Sequence, residues 1–200
     1  MSAKMALMEA GRSVFETSGF DRSTVSAICA RAKASNGSFF HFFRTKEGLA
    51  ATLFLECLTS YHDAMLAAVE GNPPAVEGTT NLVEAHLNWV VTEQRRSKFL
   101  FEQSRSEWLA SFRSEQLEEN TRFGSAIDAW RIPLVAKGAF LPLSRPLFLS
   151  LVIGPAQMFC RAWLSGREKV DPRSFKDELC NAAIRGVVAQ NVGKARRRAE

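Results

Sequence analysis

The 200-residue chain has no Cys-x-x-Cys pair, no Gly-x-Ser-x-Gly elbow and no glycine-rich phosphate loop after a strand. Its four cysteines, Cys29, Cys57, Cys160 and Cys180, are scattered. That spacing fits reduced thiols used as small core residues better than a zinc site or a disulfide framework. The three histidines, His41, His62 and His86, stand alone without metal-ligand spacing. No metal and no cofactor is therefore expected, and nothing in the pattern points to an enzyme. Alternating apolar and polar blocks flanked by hairpin turns are missing too, which argues against a β-architecture. The most apolar stretch, Pro146 to Leu164, is broken by Gly154-Pro155 and carries Gln157 and Arg161. It falls short of about 20 clean apolar residues and is expected to be a buried or interface helix, with no membrane partner. Glu9 and Arg12 interrupt any apolar signal region near the start, so a cytoplasmic location is expected.

What is present is a chain with 46% hydrophobic residues, enough for a buried core in one or two domains. The net charge of +5 is uneven: residues 1–50 contribute +3, residues 51–190 contribute −1 and residues 191–200 contribute +3. A polyanion partner for the N-terminal part is consistent with that distribution. Residues 191–200 read as a basic, flexible tail.

Helical periods fill the chain. Leu7, Met8, Gly11, Val14 and Phe15 make one face of a first helix that ends near Thr17, with Gly19 to stop it and Phe20 to pack back. Ser23 is expected to cap a second helix of about ten residues with Val25, Ile28, Cys29 and Ala32 on its apolar face. Ser35 is expected to cap a third, in which Gly37 and Ser38 keep the first turn slim. Phe39, Phe42 and Phe43 then reach the apolar side of helices one and two, while Phe40 and His41 point elsewhere. Thr45 caps a fourth helix, and Lys46 in its first turn opposes the helix dipole unless something anionic lies nearby. A short helix that is polar at its start and apolar behind it, following a tight turn, suits a helix-turn-helix.

Residues 5 to 54 resemble the DNA-binding domain of the TetR-type (TetR/AcrR) family of bacterial regulators. The resemblance rests on Phe15 to Gly19-Phe20, Ser23-Thr24-Val25, Ser35-x-Gly37, and Phe43-x-Thr45-Lys46-Glu47-x-Leu49. It implies an all-α homodimer: an N-terminal three-helix helix-turn-helix domain over residues 1–48, and a C-terminal helical bundle over 49–190 that binds an effector and dimerises. The implied function is a sequence-specific transcriptional regulator, a repressor that binds a palindromic duplex operator and is released by a small apolar or aromatic effector. By the same resemblance Ser35, Asn36, Gly37 and Ser38 open the recognition helix, and Ser26 reaches a base. Thr24 and Lys46 contact phosphates, and His41 lies against the sugar-phosphate backbone.

Three positions depart from the family pattern. Lys33 stands where a glycine is usual, so either a lysine adopts positive φ or the turn differs; facing DNA, it adds a phosphate contact. Phe40 replaces a tyrosine, which leaves apolar contact with sugar or a thymine methyl, and Phe42 replaces a histidine. The alternative these departures keep open is a helical ligand- or partner-binding dimer that has lost specific DNA binding.

In the C-terminal part, the residues expected to line an effector site are His86, Trp89, Glu93, Phe101, Arg105, Trp108, Phe123, Ile127 and Trp130, on or next to aromatic-rich helical faces. The expected dimer surface is the last two helices, through Leu147, Leu151, Met158, Ala162, Cys180, Ile184, Val187 and Val188.

Overall fold

In a computed structural model, which describes residues 2–189, the chain is all-α. Its helices among the described residues are α1 (Ala3–Ser18), α2 (Val25–Ala32), α3 (Asn36–Phe43), α4 (Lys46–Ala67), α5 (Ala75–Thr92), α6 (Gln94–Gln103), α7 (Arg113–Ala136), α8 (Arg145–Leu164) and α9 (Lys176–Val187). Short 3-10 turns at Glu107–Phe112 and Pro172–Phe175 complete them. The expected basic tail, 191–200, lies outside the described residues.

The described residues form two compact units. The first comprises residues up to Ser60 together with Arg95–Glu119, and the second comprises Tyr61–Gln94 and the residues from Asn120 onward.

In the first unit, α1 packs on α2 and α3 around a cluster that includes Leu7, Phe15, Ile28, Phe39, Phe43 and Leu49. Helix α1 ends at Ser18, with Gly19 at φ 75° donating its amide to Phe15. Helix α2 is eight residues long, and its N-cap is Thr24, whose hydroxyl accepts from the Ala27 amide at 3.2 Å. Ser23, the expected cap, is buried one position earlier and donates its hydroxyl to the Gly19 carbonyl at 2.5 Å. It ties the loop to the end of α1 instead. Ser35 caps α3 through the Ser38 amide, and Thr45 caps α4 through the Gly48 amide, both as expected.

Helix α3 is anchored by Phe39 and Phe43, one turn apart and both buried. Burial of each contributes about 1.5–3 kcal/mol. Phe42 departs from expectation: it is 39% exposed, although at i+3 it lies on the same side of the helix as Phe39.

Lys33 takes φ 51°, ψ 41°, the left-handed conformation, so of the two alternatives at this turn the lysine adopts positive φ. Arg44, just beyond α3, also has positive φ, 60°. Two non-glycine residues in uncommon backbone regions thus bracket α3, each at a cost that the surrounding packing must offset.

In the second unit, α5 packs against α8 and α9, and α8 against α9. Trp130, Phe140 and Phe148 meet edge-on, with centroids 5.0–6.2 Å apart. The indole of Trp130 donates to the Pro73 carbonyl at 2.9 Å. Buried Arg131 donates to the Leu143 carbonyl and to Asp128, and Asp128 also accepts from Arg145 at 2.8 Å. These partners make its burial tolerable.

Arg145–Leu164 is long and apolar enough to cross a membrane by length and composition only, a property that core helices of water-soluble proteins share. Only 28% of its most apolar window is buried, and Leu147 and Met158 are exposed on it.

Replacing Lys33 with glycine removes about 1–2 kcal/mol of left-handed strain and adds about 0.5–1 kcal/mol of unfolded-state entropy. Lys33→Gly is therefore expected to stabilise the protein by roughly 0.5–1 kcal/mol in urea denaturation, from the difference of those two terms. A destabilised variant would show that the turn is not strained.

Candidate nucleic-acid interface

The residues expected at a DNA surface are brought together on α2, α3 and the turn between them. Thr24, Ser26, Lys33, Ser35, Asn36, Gly37, Phe40 and His41 are exposed, and Ser38 is half-buried. The Ser35 hydroxyl serves the α3 amides and also meets the Ser38 hydroxyl at 3.0 Å, which fixes both side chains at the helix start. Asn36 carries its amide at the first position of α3, in front of Gly37. Phe40 stands 50% exposed with its ring edge-on to buried Phe39, at 5.5 Å and 86°. His41 packs edge-on against Phe42 at 5.0 Å.

Lys46 is placed differently from its companions. Half-buried, its ammonium lies 2.9 Å from the Phe20 carbonyl, 3.1 Å from that of Ser23 and 3.4 Å from that of Asp21. It also sits 4.3 Å above the Phe20 ring. The compensation for a cation in the first turn of α4 thus comes from three carbonyl dipoles of the α1–α2 loop. A phosphate contact by Lys46 would have to draw the ammonium away from them.

Sequence reasoning did not single out Arg31 and Arg44, exposed cations near the two ends of α3. The only signal for them was the +3 balance of the first fifty residues, which names no particular side chain.

The residues expected to line an effector site are divided between the units. Phe101, Arg105 and Trp108 belong to the first; His86, Trp89, Glu93, Phe123, Ile127 and Trp130 belong to the second. In the first unit Phe101 is buried and Arg105 exposed, while Trp108 packs at 5.5 Å from Phe20 and edge-on at 6.4 Å from Phe54. In the second, Ile127 and Trp130 are buried in the core, Trp130 through the contacts given above. Phe123 stacks on His62 with centroids 4.1 Å apart. Glu93 is half-buried.

His86 is fully buried, and its Nδ1 lies 2.9 Å from the Tyr61 hydroxyl. Tyr61 in turn packs 5.0 Å from Trp89. Burial pushes the His86 pKa down to about 4, so the ring is neutral at pH 7. Tyr61 was not expected from sequence; the only hint was that a buried histidine needs a hydrogen-bonding partner.

Of the expected dimer surface, Leu147 and Met158 are exposed, and Leu151, Ala162, Ile184 and Val188 are half-buried. Cys180 and Val187 are packed inside the chain and offer a second copy almost no surface.

Comparison with known proteins finds likenesses in sequence over the first helices and in fold over the whole chain. Residues 7–53 match bacterial regulatory proteins of the tetR family. No curated protein matches the chain. Among solved structures, a putative tetR family transcription regulator from Shewanella sp. PV-4 has 19% identity and a TM-score of 0.78, over 95% of this chain and 100% of that one. A TetR family transcription regulator from Marinobacter aquaeolei VT8 has 18% identity and a TM-score of 0.76, over 94% and 96%. The transcriptional regulator FadR from Bacillus subtilis, solved in complex with stearoyl-CoA, has 18% identity and a TM-score of 0.73, over 91% and 98%. The chain therefore has the fold of tetR-family transcriptional regulators.

The neutral, buried His86 carries a pH prediction. The unfolded ring titrates near the ordinary value of 6.5 and the folded one near 4, so between those values the unfolded state binds more protons. Its stabilising contribution is complete above pH 6.5 and is lost as pH falls toward 4, by at most about 3 kcal/mol. Urea denaturation should show His86→Gln with a flatter stability profile than the parent over that range; parallel profiles would mean His86 does not titrate this way.

Proposed function

We propose, from the premise that residues 7–53 belong to the tetR family of bacterial regulatory proteins, that the protein is a cytoplasmic, sequence-specific DNA-binding regulator. It acts as a dimeric repressor on a palindromic duplex operator and is released by a small apolar or aromatic effector. The observation that carries the reading is the polar start of α3, exposed at Ser35, Asn36 and Gly37 and half-buried at Ser38, beside buried Phe39 and Phe43.

Residues 1–48 form the DNA-contacting part in this reading. Asn36 presents a paired donor and acceptor suited to the major-groove edge of adenine. Phe40 meets sugar or a thymine methyl, and Ser26 reaches a base. Thr24, Lys33 and His41 approach the backbone, where contacts fix register without reading sequence.

Residues 49–190 hold the effector and dimer functions. The exposed apolar side chains of α8, Leu147 and Met158, support a second copy of the chain as the partner there. A two-fold dimer sets its recognition helices about one DNA turn apart. The buried aromatic groups around His86, Tyr61 and Trp89 support an apolar effector, as does the stearoyl-CoA complex of the Bacillus subtilis FadR structure. An effector that prefers a conformation with the wrong helix spacing lowers operator affinity by linkage.

Selection of duplexes from a random pool tests this reading. A palindrome should be enriched, and its affinity should fall steeply with salt. Asn36→Ala should cost about 1–3 kcal/mol and relax the preference at one base pair of each half-site. Lys33→Ala should weaken all duplexes alike and reduce the salt slope by about 1. If no sequence is enriched, the protein is a ligand- or partner-binding dimer without an operator.

Dimerisation has its own check. Met158→Glu places a charge on the exposed face of α8 and should shift sedimentation from dimer to monomer. An unchanged dimer would remove α8 from the interface.

A further inference from the structure

The segment from Val25 to Lys46, which contains α2, α3 and the turn between them, carries four lysines and arginines and no carboxylate. Arg31, Lys33 and Arg44 are exposed, and none of the three is in an ion pair among the described residues. Cations left without carboxylate partners suit a polyanion. Within this positive rim α3 presents an apolar ring. Phe40 is 50% exposed while Phe39 and Phe43 are buried, and its ring is set edge-on to Phe39 at 5.5 Å.

Phe40 lies at i+4 from Asn36, on the same stripe of the helix and about 6 Å further along it. Stacked base pairs are about 3.4 Å apart. A stripe that sets Asn36 on one base pair therefore sets Phe40 about two base pairs away. The duplex offers a phenyl ring few partners there. The major-groove edges of the bases display hydrogen-bond donors and acceptors, and the 5-methyl of thymine is their apolar group. A ring without a hydroxyl cannot hydrogen-bond the others. The amino group of cytosine is met by a carboxylate, which α2 and α3 lack.

We infer that Phe40 is a specificity-determining residue that reads the 5-methyl group of a pyrimidine about two base pairs from the base met by Asn36. A 5-methylcytosine at that position is then bound better than cytosine, so operator affinity responds to methylation of the DNA. The inference rests on the operator-binding reading above and adds a methyl-dependent contact that Asn36 does not supply.

The palindrome enriched from a random pool by the full chain provides the probe. Its thymines are replaced one at a time by deoxyuridine, which removes the methyl and nothing else. One thymine in each half-site should respond, with affinity falling about fourfold, as expected for one buried methyl group. Phe40→Ala should bring the ratio of thymine to uracil affinity to about one, whereas Asn36→Ala should leave it near fourfold. Circular dichroism establishes that the variants are folded, and the base replacement itself needs no variant. With cytosine at the responsive position, 5-methylation should raise affinity by a similar factor. A tightly bound palindrome that is indifferent to uracil at every thymine overturns the inference and leaves the operator reading standing. So does a uracil penalty that survives Phe40→Ala, or equal affinity for cytosine and 5-methylcytosine. Failure to enrich any duplex overturns both.

Discussion

Buried Phe39 and Phe43 hold the rest of the first unit in place. They lie one turn apart on α3, and both pack into the cluster that contains Leu7, Ile28 and Leu49. Two anchors at i and i+4 fix a helix in rotation as well as in position. With them buried, the start of α3 faces outward, and Phe40 and Phe42 remain in contact with solvent. The turn that delivers the chain to this geometry is also fixed. Lys33 holds a left-handed conformation there, with its amide bonded back to the last carbonyls of α2, and the packing on either side must offset the cost.

The same cluster receives side chains from much later in the sequence. Phe99 stacks on Phe15, and Trp108 lies against Phe20 and Phe54, so residues 95–119 complete a core begun by residues 7–54. Lys46 adds a polar tie by binding the carbonyls of the α1–α2 loop from the first turn of α4. Close-packed interiors transmit displacement rather than absorbing it. A shift of α6 or of the 3-10 turn after it therefore reaches α1 by direct contact, and α1 supports both α2 and α3.

Features set by local chemistry were legible in the sequence. Gly19 ended α1, Ser35 and Thr45 capped their helices, and the anchors Phe39 and Phe43 were recognisable from their spacing. Features that depend on distant partners were not. Ser23 and Thr24 are adjacent hydroxyl residues, and only the bond of buried Ser23 to the Gly19 carbonyl leaves Thr24 to cap α2. Phe42 is as apolar as its neighbours and lies at i+3 from an anchor, yet it is 39% exposed. The aromatic residues from His86 to Trp130 shared plausible faces, yet periodicity identifies a face without saying which unit that face enters. Cys180 and Val187 show the same limit, since their apolar side of α9 meets the chain's own core. Arg12, Arg96 and Phe99 are brought together only by the packing of α1, α4 and α6.

The surface around α3 combines two demands that ordinarily conflict. Exposed phenylalanine costs hydration free energy, whereas phosphate recognition calls for charge. The structure separates them in space: Arg31, Lys33 and Arg44 lie near the ends of α3, and Phe40 and Phe42 occupy its middle. In an operator complex the flanking cations would supply the salt-dependent, sequence-independent attraction. The exposed rings would then lose their contact with water only where the groove offers apolar atoms, of which thymine methyls are the principal ones. Affinity and discrimination would thus rest on different residues. Phe40 is held edge-on by the buried Phe39 ring, so the anchor at the core end of α3 also fixes the exposed ring beside it.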